Sequence, residues 1–310
     1  TKKVLSSELA ICVKHLRSEL LALLKGKEKI VDVILCAIAS SGHVLLEDVP
    51  GVGKTTIIKA ISKLLGLTMK RVQCTSDLLP SDIIGVEVFN PQTQQFIFHP
   101  GPLFANIVLT DELNRTSPRT QSALLEAMGE GVVTVDRKTY DLPKPFILFA
   151  AQNPSDHLGT YPLPESQLDR FSIKLRLDYP ESIKEKEIFH QATLDPIQLI
   201  RGNLMTCEQL LTLQSSVDGV HISPRVAEYV KRFVDETRKH PALIRGVSTR
   251  GGVMWLRIAR GRALLSGRDY VIPDDLVVTG AFCLSHRVVT HTGNDACDVI
   301  ESLLASVDIE

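Results

Sequence analysis

The stretch Gly51-Val52-Gly53-Lys54-Thr55-Thr56 follows a short apolar run, His43 to Glu47, and leads into a segment with helical spacing. A strand feeding a tight glycine turn that opens a helix aims backbone N–H groups and the positive end of the helix dipole at one point. That point attracts phosphate. Gly51 and Gly53 permit close approach of the backbone, Lys54 can reach the β- and γ-phosphates, and the Thr55 hydroxyl can bind Mg²⁺. Pro50, Gly51, Val52, Gly53, Lys54, Thr55 and Thr56 are therefore the expected phosphate-binding residues. The first position of the usual pattern holds Asp48 instead of glycine. Its side chain is expected to point outward, with slower or weaker binding as the largest consequence.

The second half of such a site is a strand ending in carboxylates, and "IVLTDE" ends on Asp111 and Glu112. Asp111 is expected to hold Mg²⁺, largely through its water shell, and Glu112 to polarise an attacking water. Phosphoryl transfer is mostly positioning and electrostatics, so a base in line with the γ-phosphate is what the chemistry needs. A plain helix cap is the bland account of Asp-Glu after a strand.

These residues must be carried by a sheet. Short apolar runs at 43 to 47, 70 to 74, 106 to 110, 146 to 152 and 172 to 177 alternate with helical patterns, as a parallel sheet flanked by helices does. Ile57, Ile58, Ile61, Leu64 and Leu65 fall on one helical face behind the glycine loop. Residues 86 to 99 and 132 to 142, the second turning at Asp136-Arg137-Lys138, read as β-hairpin insertions facing clients or neighbours, or else as extensions of the sheet. Past Tyr179-Pro180 capped helices take over: Ser182 with Glu185 and Thr206 with Gln209 form capping boxes, and Ser223-Pro224 opens a helix with Val226, Val230, Phe233 and Val234 inward. Further helices are expected from Thr249 to Ser266 and from Pro273.

At 310 residues the chain suits a main domain with a smaller companion, expected as 1–198 and 199–310. Lys and Arg number 35 against 36 Asp and Glu, so no global field argues for nucleic acid or anionic membrane. The six cysteines lack CxxC pairs and read as reduced, buried thiols. No apolar stretch spans a bilayer and no basic-then-apolar leader opens the chain, although it begins on Thr1; a cytoplasmic address is expected.

Together "EDVPGVGKTT", "TDELNRTSPRTQSALLEAMGEGVVTVD", "AAQNPSDHLGTYPLPESQLDRF" and "GRDYVIPDDL" resemble the MoxR-type AAA+ ATPases, from about Gly26 onward. The resemblance implies an α/β fold: an αβα P-loop nucleotide-binding domain with a parallel sheet, followed by an all-α lid. It implies ATP with Mg²⁺ as ligands and a homo-oligomeric ring, expected as a hexamer with ATP between subunits. Asn153 matches the polar sensor that orients the attacking water, Arg170 in "LDRF" the arginine finger given to a neighbour, and Arg250 in "STRGG" the lid's sensor arginine, acting in cis or in trans. Arg115 either faces a neighbour or makes a plain salt bridge. Gly26-Lys27-Glu28 stands where relatives carry Gly-Gln near the adenine, so base recognition is less defined than phosphate recognition.

The resemblance implies a chaperone-like factor that remodels or matures client proteins, with partners bearing von Willebrand factor A domains. Two other readings compete. Arg257, Arg260, Arg262 and Arg268 form a local basic cluster that a nucleic-acid motor or loader would use, although no aromatic stacking residues accompany it. A nucleotide-gated scaffold would bind ATP without turnover, against which stands Glu112, a base that a scaffold does not need.

Overall fold

The computed structural model describes residues 5–24, 26–47, 53–135, 138–153, 159–177, 197–198, 200 and 202–307. In chain order the elements are α1 (Ser7–Leu23), α2 (Glu28–Ala39), β1 (Val44–Glu47), α3 (Lys54–Leu64), β2 (Met69–Gln73), α4 (Pro80–Ile84), β3 (Gly85–Asn90) and β4 (Gln95–Pro100). β5 (Ile107–Asp111), α5 (Pro118–Glu130), β6 (Val132–Val135), β7 (Lys138–Asp141), β8 (Ile147–Gln152), α6 (Glu165–Leu168) and β9 (Ile173–Leu175) follow. The chain continues through α7 (Cys207–Val217), α8 (Pro224–Lys239), β10 (Leu243–Arg245), α9 (Thr249–Leu265), α10 (Pro273–Leu284), β11 (Val289–Thr290) and α11 (Ala296–Ser306).

Five strands form one sheet in the order β2-β5-β8-β1-β9. β5 pairs in parallel with β2 on one side and β8 on the other, with Gln73 opposite Asp111 and Thr110 opposite Ala150. β5 is buried along its whole length and β8 up to its last residue, which is why both read as nearly continuous apolar runs instead of alternating ones. β2 lies at the edge and carries Lys70, Arg71 and Gln73 with only Val72 buried. The expected α3 face is buried at all five positions, Ile57, Ile58, Ile61, Leu64 and Leu65. Complete burial of each such side chain contributes about 1.5–3 kcal/mol.

Both hairpins form as antiparallel ribbons, β3 with β4 and β6 with β7, and neither joins the five-stranded sheet. They are therefore insertions and not sheet extensions. Lys138 Nζ and Tyr140 Oη both donate to Glu87 Oε1, at 2.7 and 2.9 Å, and Tyr140 stacks on Phe98 at 4.0 Å. The Asp136-Arg137 turn lies outside the described residues, as do Asp48, Pro50, Gly51 and Val52 of the glycine loop and the Ser182–Glu185 capping box.

The compact division of the chain differs from the expected boundary at 198. One unit comprises Thr1–Val44, Phe171–Leu175 and Leu204–Glu310; the other comprises Leu45–Arg170 and Arg176–Asn203. In the first unit α2 is held by polar contacts that no local pattern announces: Gln214 Nε2 donates to Ile38 O at 2.8 Å, and Arg257 Nε to Ser40 O at 2.8 Å. Gly261 admits this approach, since a Cβ there would lie 2.4 Å from Ser40 Oγ. The aromatic core of this unit is Trp255 against Phe233, ring centres 4.9 Å apart, with the indole N–H donating to Leu276 O. Ser223 caps α8 as expected, with Val226, Val230, Phe233 and Val234 buried, and Thr206 and Gln209 cap α7 reciprocally. Among its described residues the lid region is mainly helical, with the short β10–β11 ribbon and a single bridge between His221 and Tyr270.

No disulfide joins the six cysteines, but only Cys36, Cys74 and Cys283 are buried; Cys12, Cys207 and Cys297 are partly exposed, which corrects the expectation of six buried thiols. Burial pushes the Cys283 thiol up to about 12, and for Cys74 burial, then the nearby Asp111 and Glu112 carboxylates, do the same. Among the described residues no helix is long and apolar enough to cross a membrane.

Candidate functional site

Gly53 has φ +85, a left-handed conformation that L side chains rarely adopt, and α3 starts at the next residue. A Cβ there would meet nothing within 4 Å, so the backbone angle and not crowding calls for glycine. The turn places Lys54, Thr55 and Thr56 in the first turn of α3, where N–H groups lack intrahelical partners and the dipole favours an anion.

Lys54, Thr55 and Thr56 line a cleft of about 210 Å³ together with Gly53, Arg71, Gln73, Asp111, Glu112, Ala151, Gln152 and Asn153. The described residues of the expected phosphate loop, Gly53 to Thr56, thus meet the end of β5 and the end of β8 at one place. They converge because β5 and β8 are parallel neighbours whose carboxyl ends open on the same edge of the sheet.

The turn after β5 is stressed. Glu112 has φ 56 and ψ 44, a left-handed conformation that costs a non-glycine residue about 1–2 kcal/mol. Several contacts impose it: Arg115 N donates to Glu112 O at 2.8 Å, and the buried Gln121 amide donates to the carbonyls of Leu113, Thr116 and Tyr161. Gln121 therefore explains part of the run from Asp111 to Asp136 in structural terms. Arg115 pairs with Glu112, 3.3 Å between Nε and Oε2.

Both acids already have partners on β2. Arg71 Nε donates to Asp111 Oδ2 at 2.5 Å, and Gln73 Nε2 to Glu112 Oε2 at 3.1 Å. Sequence reasoning missed this pair. Its signal was two polar side chains spaced two apart on a strand, hence on one face, next to a strand ending in acids. Glu47, which ends β1, accepts from Gln152 Nε2 at 3.3 Å and from Arg176 Nη2 at 2.9 Å, so the residue entering the glycine loop is also tied down.

Oxygen donors Thr55 and Asp111 in the same cleft are the hard set that Mg²⁺ takes, and the remaining positions suit the waters it retains. The residues present fit MgATP: a cation and helix N–H groups on one side, a carboxylate for the metal and a second carboxylate for a water on the other.

Arg170 lies apart from this cleft's lining. Its Nη1 donates to Leu125 O at 2.7 Å, and Gly129 makes room for it, since a Cβ there would lie 2.2 Å from that nitrogen. Arg250 sits in the first turn of α9, behind the cap formed by Ser248 Oγ and Gly251 N. Of the basic cluster, Arg262 and Arg268 both grip the buried Asp275 at 2.6 Å, and Arg257 faces Asp218 at 3.4 Å. Three of the four charges are thus answered by carboxylates within the same unit.

Residues 43–173 match the ATPase family associated with various cellular activities (AAA), and residues 235–302 match the AAA lid domain. The chain is 46% identical over 290 residues to the uncharacterized protein YeaC of Bacillus subtilis, covering 92% of this chain and 90% of that one. It is 38% identical over 280 residues to the chaperone MoxR1 of Mycobacterium tuberculosis, covering 87% and 74%. The crystal structure of a candidate ATPase from Cytophaga hutchinsonii superposes with a TM-score of 0.88 at 32% identity, over 97% of this chain and 95% of the other. With its cleft, its sheet order and its lid, the chain belongs to the MoxR-type AAA+ ATPases.

Proposed function

We propose that this chain binds MgATP in the cleft and hydrolyses it to drive chaperone-like remodelling or maturation of client proteins. The observation that carries the reading is the convergence of Lys54, Thr55, Asp111, Glu112 and Asn153 on one cleft. Pro50 to Thr56 cradle the phosphates, with Lys54 on the β- and γ-phosphates. Thr55 and Asp111 hold Mg²⁺, which when bound offsets the negative charge of the phosphate oxygens. Glu112 takes a proton from the water that attacks the γ-phosphorus, and Asn153 orients that water. The leaving group is ADP.

Arg170 of one subunit stabilises the charge developing on its neighbour's γ-phosphate, and Arg250 reports nucleotide to the lid, so the working form is a ring, expected as a hexamer. In this scheme 1–198 binds nucleotide and 199–310 acts as lid. Clients, a partner with a von Willebrand factor A domain and a cytoplasmic address belong to the same proposal. The name of the mycobacterial relative, a chaperone, supports the client role. The nucleic-acid reading is weaker, because carboxylates answer three arginines of the basic cluster.

The test is Glu112→Gln. A positioned general base is worth about 10²–10⁴-fold, so turnover falls by that factor while MgATP affinity is retained. Equal turnover in the variant rejects the role of Glu112, and unimpaired hydrolysis at dilutions where the chain is monomeric rejects the shared site.

A further inference from the structure

Within the first compact unit one buried side chain touches the neighbours of two residues that the proposed function uses. Arg287 is 8% exposed and closes the short 3₁₀ turn Ser285–Arg287 after α10. Its Nη2 donates to Phe171 O at 2.7 Å, and its Nη1 to Ser172 O at 3.3 Å and to Cys283 O. Its Cδ is 2.9 Å from where a Cβ on Gly251 would stand, so glycine at 251 leaves the room its stem occupies. Phe171 follows Arg170, and Gly251 follows Arg250.

We propose that Arg287 is a positioning residue that sets the backbone directions of Arg170 and Arg250 together. This rests on the proposed function, in which both arginines serve ATP hydrolysis. A guanidinium is a rigid fork of donors, and gripping two successive carbonyls fixes a peptide's orientation in a way that a single flexible contact does not. His286 adds to the cluster, its Nε2 lying 2.9 Å from Phe171 O and 3.1 Å from Arg287 Nη1. Ser172 Oγ in turn donates to Met254 Sδ at 3.2 Å, one turn beyond Arg250 on α9. The peptide after Arg170 and the first turns of α9 are thus built around the same side chain. Buried polar contacts of this kind cost desolvation and are worth keeping only when all are made. The arrangement is therefore all-or-none: a change that loosens one arginine's mounting loosens the other's.

The experiment uses the full chain and reads turnover separately from MgATP affinity. A misplacement of about 1 Å in a catalytic group costs on the order of 10²-fold, so Arg287→Gln lowers kcat by about 10–100-fold and leaves the MgATP Kd within about threefold. Arg287→Lys, which keeps the charge and some donors, recovers part of kcat. Because Arg287 acts through both arginines, the triple variant Arg170→Ala/Arg250→Ala/Arg287→Gln is no slower than Arg170→Ala/Arg250→Ala. Gly251→Ala keeps the guanidinium but presses on its stem, and it lowers kcat in the same direction. Should Arg287→Gln not fold, Gly251→Ala decides alone, and wild-type kcat in it overturns the proposal. Wild-type kcat in Arg287→Gln, or a further loss in the triple variant, also overturns it. If Arg170→Ala is impaired while Arg287→Gln is not, only this inference fails; if Arg170→Ala hydrolyses ATP like the wild type, the proposed function fails with it.

Discussion

Asp111 and Asp275 are both aspartates gripped by arginine, and they do opposite things. Asp275 has a side chain with no exposed surface; Arg262 and Arg268 reach its Oδ1 at 2.6 Å, and Arg268 and Ile272 N take its Oδ2 at 2.7 and 2.9 Å. Every lone pair is answered inside the protein, and the acid also caps α10. Asp111 has one such donor, Arg71, whose side chain is 53% exposed and free to leave, and it faces a cleft. A sealed pair of this kind specifies a fold, whereas in an open pair another cation can take the place of the arginine. Burial and partner count separate the two roles; the residue pair does not.

Several substitutions break or sharpen this contrast. The largest effect on stability belongs to Asp275→Asn, which leaves two arginines facing each other in a mostly buried site. It costs about 3 kcal/mol, read as a fall in the urea unfolding midpoint. Asp111→Asn costs less than about 1 kcal/mol by the same assay, since its partner is solvated, yet it removes magnesium-dependent turnover. If both substitutions destabilise equally, the division into sealed and open pairs is wrong.

A smaller effect comes from pH. Burial first, then Arg287 and Lys174, hold the His286 imidazole well below its ordinary value. Below about pH 6.5 the unfolded chain therefore binds a proton that the folded chain does not, and stability is lost as pH falls, by at most about 1.4 kcal/mol per unit from this group. Unfolding midpoints between pH 7.5 and 5.5 should show that slope, and His286→Gln should flatten it.

What could be read from sequence was local. Gly53 at the start of α3, the acids after β5, the cap at Ser223 and the paired strands of both hairpins are each set by residues within a few positions of one another, and these lie where their spacing put them. The missed features are contacts across long separations. Arg71 and Asp111 are 40 positions apart, Arg257 and Ser40 217, Arg287 and Phe171 116. No periodicity links such partners, so spacing alone does not show that Asp275 and Asp218 answer arginines of the basic cluster. For the same reason nothing local announces that Gln214 and Arg257 hold α2.

The central claim is that the cleft below Gly53 takes MgATP. Calorimetric titration of MgATP into the wild-type chain and into Lys54→Ala tests it most directly. The account predicts one saturable site per chain in the wild type and, in the variant, binding weakened beyond the range of the titration. Equal affinity in the two proteins, or no heat of binding in the wild type, would contradict it.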